Sequence, residues 1–272
     1  MDDEIDLRDI FNVLWKGRRL VGGIFIASVI IATIISFVIP QVFQISGIVA
    51  LGNFGEPIYT SQGAALDFMQ SDEFLLDVFD GMNLNLTSSK FAELKDNIKI
   101  EPVKDTESLL LISIESKNKS QGIEIVDGII SHFANKSEDR YDKQIQILSD
   151  QLAVTNENLN VLEADINQTR DVLTSIEGAS GASSEGNEMR VSRTLDYLQA
   201  EESRRSALQD RYLDLNKQIT LARHLDVVQK PTEPITPIWP KKMLIVAVAG
   251  MLGLMIGVFA VFLRASLGKR TD

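Results

Sequence analysis

The chain has no cysteine and only two histidines, His132 and His224, in 272 residues. No disulfide framework can hold it, and the redox compartment stays open. A Cys–His nucleophile and a soft-ligand metal cluster are both out of reach. Positive charge is also scarce, since 27 Lys and Arg face 38 Asp and Glu for a net charge of −11. Nucleic acid binding rests on clustered Lys and Arg that neutralise phosphates, and no such stripe is read here. No GxxxxGK[ST] phosphate loop occurs, and the GKRT near the C-terminus lacks its upstream glycine. Carboxylates are numerous but form no distinctive local pair. The expectation is a chain with no catalytic, cofactor-binding or metal-binding residues.

What the chain does have is two long apolar runs near its ends. Residues 20–39 and 243–263 contain no charged residue, and a bilayer core of about 30 Å is crossed by roughly 20 apolar residues in a helix. Each run is therefore read as a transmembrane helix. A secretory signal has an apolar region of only about 7–15 residues followed by an A-x-A-like site; the first run is longer and no such site follows. Arg8, Lys16, Arg18 and Arg19 precede it, whereas no Lys or Arg lies within residues 41–58. By the positive-inside bias the N-terminus is cytoplasmic, with Lys16, Arg18 and Arg19 setting the orientation, and two crossings return the C-terminus to the same side. Trp15 and Trp239, the only tryptophans, stand just outside the two runs as interfacial anchors. Ile10, Phe11 and Leu14 share one helical face in the N-terminal tail, which suggests a short interfacial helix or a simple extension of the first span.

Between the tails lie 20 Lys and Arg against 32 Asp and Glu, so the intervening segment is acidic. Residues 42–51 are rich in β-branched side chains and read as a first strand. A helix is expected over 62–80, with Ser71 as a cap before DEFLLDVFD and Gly81 as a stop. Residues 97–103 and 109–115 read as a hairpin. A further helix starts near Ser120, with Ile123, Val126, Ile130 and Phe133 at helical spacing, and residues 223–229 read as a last strand. The order β-α-β-β-α-β is that of the split, ferredoxin-like sheet, in which the first and last strands are antiparallel neighbours. Both spans would then emerge side by side.

Over residues 140–222 the pattern changes. Ile145, Leu148, Leu152, Thr155, Leu159, Leu162, Ile166, Thr169, Leu173 and Ile176 keep a three-four spacing, the mark of a narrow apolar seam. Residues 177–187, EGASGASSEGN, read as a loop. Val191, Thr194, Leu198, Glu201, Arg205, Leu208, Tyr212, Leu215, Ile219 and Ala222 form a second series. Folded back near Ala182, the two make an antiparallel hairpin that sets Ile166 against Leu198 and Leu152 against Tyr212. Glu201 and Arg205 fall opposite Leu159 and Leu162. Either they face water or a neighbouring subunit at the seam, or a one-turn shift moves them to the flank, where long side chains keep their charges wet.

Two further features flank the second run. Pro231, Pro234, Pro237 and Pro240 recur every third residue, which aligns them along one edge of a stiff polyproline II segment that would couple the last strand to the membrane; a passive spacer is the plainer reading. Ala249, Gly253 and Gly257 recur every fourth residue inside the run, a spacing of small residues that permits close helix packing.

The DDEIDLRDIFNVLWKGRRL tail, the strand directly after the first span, the coiled-coil region and PTEPITPIWPKK leading into a glycine-rich second span resemble the Wzz-type polysaccharide co-polymerases. The resemblance covers the whole layout, with its specific motifs at the two ends. It implies an α+β membrane protein: two transmembrane helices flanking a ferredoxin-like periplasmic base with a helical-hairpin extension. The expected divisions are a cytoplasmic tail 1–19, span 20–39, base 40–139, hairpin 140–222, return strand and proline segment 223–242, span 243–263 and cytoplasmic tail 264–272. It further implies a non-enzymatic regulator of chain length in the bacterial inner membrane. Such proteins form homo-oligomeric rings and act with a Wzy-type polymerase on undecaprenyl-linked polysaccharide, the O-antigen of lipopolysaccharide or a related polymer. A capsule or exopolysaccharide export component, or a periplasmic adaptor of a secretion system, is the alternative.

Overall fold

The computed structural model describes residues 13–84, 86–178 and 185–268; the interfacial-helix reading at Ile10 and Phe11 lies outside them. Helix α1, Arg18–Val38, carries no charge beyond Arg18 and Arg19 and gives way to extended backbone at Ile39, where Pro40 disfavours a further helical turn in the residue before it. Strand β1, Phe43–Ala50, follows with alternating burial that turns Phe43, Ile45, Gly47 and Val49 inward. Four short helices lead to the next strand: α2 (Pro57–Thr60), α3 (Gln62–Met69), α4 (Asp72–Gly81) and α5 (Ser88–Asn97).

The single helix expected over 62–80 is two. Ser71 separates them because its hydroxyl accepts from the Phe74 N–H at 3.2 Å and donates to the Phe68 carbonyl at 2.7 Å, the side-chain bonding that favours a cap over a helix interior. The turn after α4 uses a left-handed Asn83, φ 57°, so Gly81 remains helical. Helix α5 was not expected; its sequence SSKFAELKDN offers only Phe91 and Leu94 to the core.

Strands β2 (Ile98–Pro102) and β3 (Leu109–Ser116) form the expected hairpin, with Ile100 opposite Ile112 and Ile98 opposite Ile114. Strand β4 is shorter than expected, Asp226–Gln229. Arg223 makes an isolated bridge with Asn53, and Leu225 turns into the core, which interrupts the ladder before Asp226. The sheet order is β2-β3-β1-β4, antiparallel throughout. This is the ferredoxin-like arrangement, with the first and last strands as neighbours.

Helix α6, Lys119–Gly178, contributes both to the base and to the hairpin in one uninterrupted run of 60 residues, roughly 90 Å at 1.5 Å per residue. No glycine or proline occurs between Gly128 and Gly178, so nothing breaks it at the boundary expected near residue 140. Its root buries Ile125, Val126, Ile129, Ile130 and Phe133 against the sheet and helices. Gly122 lets the helix come close to the sheet, since a β-carbon there would stand 2.6 Å from Ile45 Cδ1. Phe133 is fully buried beside Tyr59, Phe68 and Phe74.

Helix α7, Glu185–Leu221, folds back along α6. Residues 177–178 and 185–187 of the expected loop are helical, and 179–184 lie outside the described residues. All twenty seam positions named above are buried or half-buried, and Leu162, Ile166 and Leu198 pack together with Leu173 and Leu208 against them. Glu201 and Arg205 keep their seam positions, which corrects the flank reading. The Glu201 side chain is only 14% exposed, with Arg204 Nη1 3.9 Å from its carboxylate. Charge in a half-dry seam is a net cost that apolar replacement relieves. Arg205→Leu is expected to stabilise the hairpin by about 1 kcal/mol, read as a higher melting temperature of the full chain in one detergent; a lower one would show that the guanidinium is needed there.

Candidate functional site: the paired anchor helices and the proline segment

Helix α8, Lys242–Gly268, runs antiparallel along α1. Their contact is built on small residues. A β-carbon at Gly253 would stand 2.6 Å from Ser28 Oγ, one at Gly257 3.1 Å from Val21 Cα, and one at Gly250 3.0 Å from the Phe25 ring. Gly250, Gly253, Gly257 and Val261 are buried, while Ala249 is half-buried beside them. Gly17 meets Val261 at the far end of the pair, where a β-carbon would fall 2.5 Å from both valine methyls. Two hydroxyls within α1 bond locally, Ser28 donating to the Ile24 carbonyl at 2.9 Å and Thr33 to the Val29 carbonyl at 2.7 Å, whereas the Ser36 hydroxyl is buried without a hydrogen-bond partner among the described residues.

Apart from that stripe the two helices present apolar side chains outward. Phe37, Val38, Met243, Met251 and Phe259 are all more than 60% exposed, and only 11% and 22% of the most apolar windows are buried. A core helix of a water-soluble protein would be mostly covered. Length and composition make both helices candidates for crossing a membrane.

The prolines face one way. Pro231, Pro234 and Pro237 are half-buried and Pro240 is buried, whereas Thr232, Glu233, Ile235 and Thr236 are exposed. The segment is not one straight rod, because the chain bends at residues 235–236. Beyond the bend it pairs with the strand entry: the Val42 N–H donates to the Trp239 carbonyl, and the Ile238 N–H to the Val42 carbonyl, each at 2.9 Å. Lys119 at the root of α6 reaches Glu233 at 3.4 Å and lies 4.6 Å over the Phe43 ring. Lys242 covers the Phe37 ring at 4.3 Å. The outlet of α1 and the inlet of α8 are thereby joined to each other and to the base of the stalk. No periodicity in the sequence announces the Val42–Trp239 pairing, since it links residues nearly 200 positions apart.

The three cations just ahead of the first apolar run diverge. The Arg18 guanidinium sits 4.9 Å over Trp15, whereas Lys16 and Arg19 line a cleft with Arg264. Phe54 and Tyr59 are buried and stacked at 6.2 Å, so they act as packing residues. Asp77 on α4 accepts from His132 at 3.1 Å and from Lys136 on α6. The lysine hydrogen bond holds the Asp77 carboxyl below its ordinary value; the cluster ties α4 to α6 on an exposed surface.

Residues 3–83 match the Wzz family of chain length determinant proteins. Over that stretch the chain is similar to the family. Residues 206–266, which include β4, the proline segment and most of α8, match GNVR, a G-rich domain described on tyrosine kinases. Among curated proteins, none matches the chain in sequence. Among solved structures, it is similar to a full-length bacterial polysaccharide co-polymerase at 18% identity, covering 99% of this chain and 100% of that one, TM-score 0.43. A fragment of WzzB, a polysaccharide co-polymerase from Salmonella Typhimurium, aligns at 14% identity over 74% of this chain and 100% of its own, TM-score 0.33. A chain of a Wzz dodecamer aligns at 15% identity over 71% and 98%, TM-score 0.26.

Proposed function

We propose that this chain is a non-enzymatic polysaccharide co-polymerase: a scaffold of the bacterial inner membrane that sets how many repeat units a Wzy-type polymerase adds to an undecaprenyl-linked polysaccharide, O-antigen or a related surface polymer. Both termini lie in the cytoplasm, and the base and hairpin stand in the periplasm. The observation that carries this reading is the closed foot of the molecule. Antiparallel anchors packed along their length, with Val42 paired to Trp239 at their common exit, hold the root of α6, a helix of roughly 90 Å, over one patch of membrane.

The assembly is a homo-oligomeric ring. Ile147, Val154 and Val161 recur every seventh residue along α6, outside the seam, and are 50–57% exposed. A lone hairpin leaves this row uncovered, and such rows serve as contact surfaces between helices. Lys119, Glu233 and the inward-facing prolines couple the stalk root to the second anchor.

Deletion of the gene followed by gel analysis of surface polysaccharide tests the function. The expected result is loss of a modal ladder, restored by the intact protein and not by a Pro234→Ala, Pro237→Ala, Pro240→Ala variant that still inserts in the membrane. An unchanged ladder in the deletion strain would sink the chain-length reading, and full rescue by the variant would sink the coupling role. Mass measurement in detergent addresses the ring, which a monomer at every concentration would contradict.

A further inference from the structure

At the end of the anchor pair opposite the proline segment, α1 and α8 open into a cleft of about 510 Å³, lined by Val13, Lys16, Gly17, Leu20 and Val261 together with Arg19, Arg264 and Ala265. Three cations, Lys16 just ahead of α1, Arg19 on α1 and Arg264 on α8, thus converge on one cavity. All three are solvent-accessible, and among the described residues none has an ion pair. Like charges gathered on one cavity repel, and an anion placed between them removes that cost. The neighbouring Arg18 is engaged elsewhere, over Trp15. The cleft floor is shaped by Gly17, which lets Val261 press against the α1 backbone, and the remaining walls are aliphatic.

We infer that this cleft binds the headgroup of an anionic phospholipid. The guanidinium forks of Arg19 and Arg264 suit phosphate oxygens, and the Lys16 ammonium adds a point charge. The aliphatic walls meet the glycerol and the first acyl carbons, a combination of surfaces that a free phosphate ion would leave half unused. Lipid bound there bridges both helices on the face opened by Gly17, so it clamps the anchor pair at the end where no hydrogen-bonded pairing like that of Val42 and Trp239 is described. This inference rests on the reading of α1 and α8 as membrane helices.

The test is native mass spectrometry of the full-length protein released from a neutral detergent and titrated with phosphatidylglycerol, phosphatidylcholine or inorganic phosphate. The expected result is preferential retention of phosphatidylglycerol, weakened roughly fivefold for each cation removed among Lys16→Gln, Arg19→Gln and Arg264→Gln, and unaffected by Arg18→Gln. A variant carrying Arg19→Lys and Arg264→Lys keeps the charge and is expected to retain the lipid, which separates charge loss from misfolding. Equal retention of both lipids, undiminished binding by the triple variant, or binding of inorganic phosphate without preference for the lipid would overturn the assignment. If the protein proves soluble and monodisperse without detergent, the membrane reading itself fails; if it needs detergent but shows no lipid preference, only the cleft assignment does.

Discussion

Phe133→Ala is expected to destabilise the base by about 3–5 kcal/mol, the usual cost of emptying a fully buried aromatic site. Phe133 is 0% exposed and lies 5.4 Å from the Tyr59 ring, 6.1 Å from Phe74 and 6.4 Å from Phe68. These rings come from α2, α3 and α4, so the cavity would open where the three short helices meet the root of α6. Thermal unfolding of the full chain in detergent, followed by near-ultraviolet circular dichroism, measures the effect. Val172→Ala, on the exposed side of α6 and outside both the seam and the Ile147–Val154–Val161 row, is the matched control and should change stability by no more than about 0.5 kcal/mol. Equal melting of the two variants would mean that the stalk root is not packed as described. A loosened root also tilts the stalk relative to its feet, so the modal ladder should blur even where the protein remains folded.

The second large effect is at the anchors. Leucine at both Gly253 and Gly257 would drive β-carbons into Ser28 Cβ at 2.7 Å and Val21 Cα at 3.1 Å. The latter is backbone and cannot step aside, so the helices must separate, at about 1–3 kcal/mol for each overpacked site. Because the chain has no cysteine, a Val29→Cys, Gly250→Cys pair reports the spacing without background. A β-carbon at 250 stands 3.6 Å from a Val29 methyl, within disulfide reach. Oxidative cross-linking should be efficient in the otherwise native chain and fall to a trace when both leucines are present. Undiminished cross-linking would show that the anchors tolerate the bulk and do not depend on these glycines for contact.

Much of this architecture can be read from residues in order. Two uncharged runs announce α1 and α8, and three-four spacing announces the hairpin so well that every named seam position is at least half-buried, Glu201 and Arg205 included. Alternation of β-branched residues marks β1 and the β2–β3 hairpin. The legible features share a cause: each is a local period of burial, repeated often enough to stand above composition. Helix α5 escaped because two large apolar residues in ten make no period. The break at Ser71 was half seen, as a cap, but a cap inside an apolar run reads as one helix until the hydroxyl is found holding both ends. The boundary expected near residue 140 marks a change of environment along α6 rather than a change of backbone; periodicity reports the first and helix propensity the second.

The candidate site divides the same way. Gly253 and Gly257 could be picked out by spacing, yet Gly250, about a quarter turn from Ala249, enters the contact only because the antiparallel crossing selects that face. The proline period predicted a common edge, and the structure turns that edge inward, but the bend at 235–236 and the return to Val42 follow from a pairing between residues far apart in the chain. What the sequence determined by itself is which segments are apolar enough to leave water and which are periodic enough to pair, because hydrophobic burial is written into single residues and their intervals. Only the tertiary structure decided which faces meet, where Lys16, Arg19 and Arg264 converge, and how the two feet are tied together. Those outcomes depend on close packing and backbone hydrogen bonds between distant residues, and neither leaves a local mark along the chain.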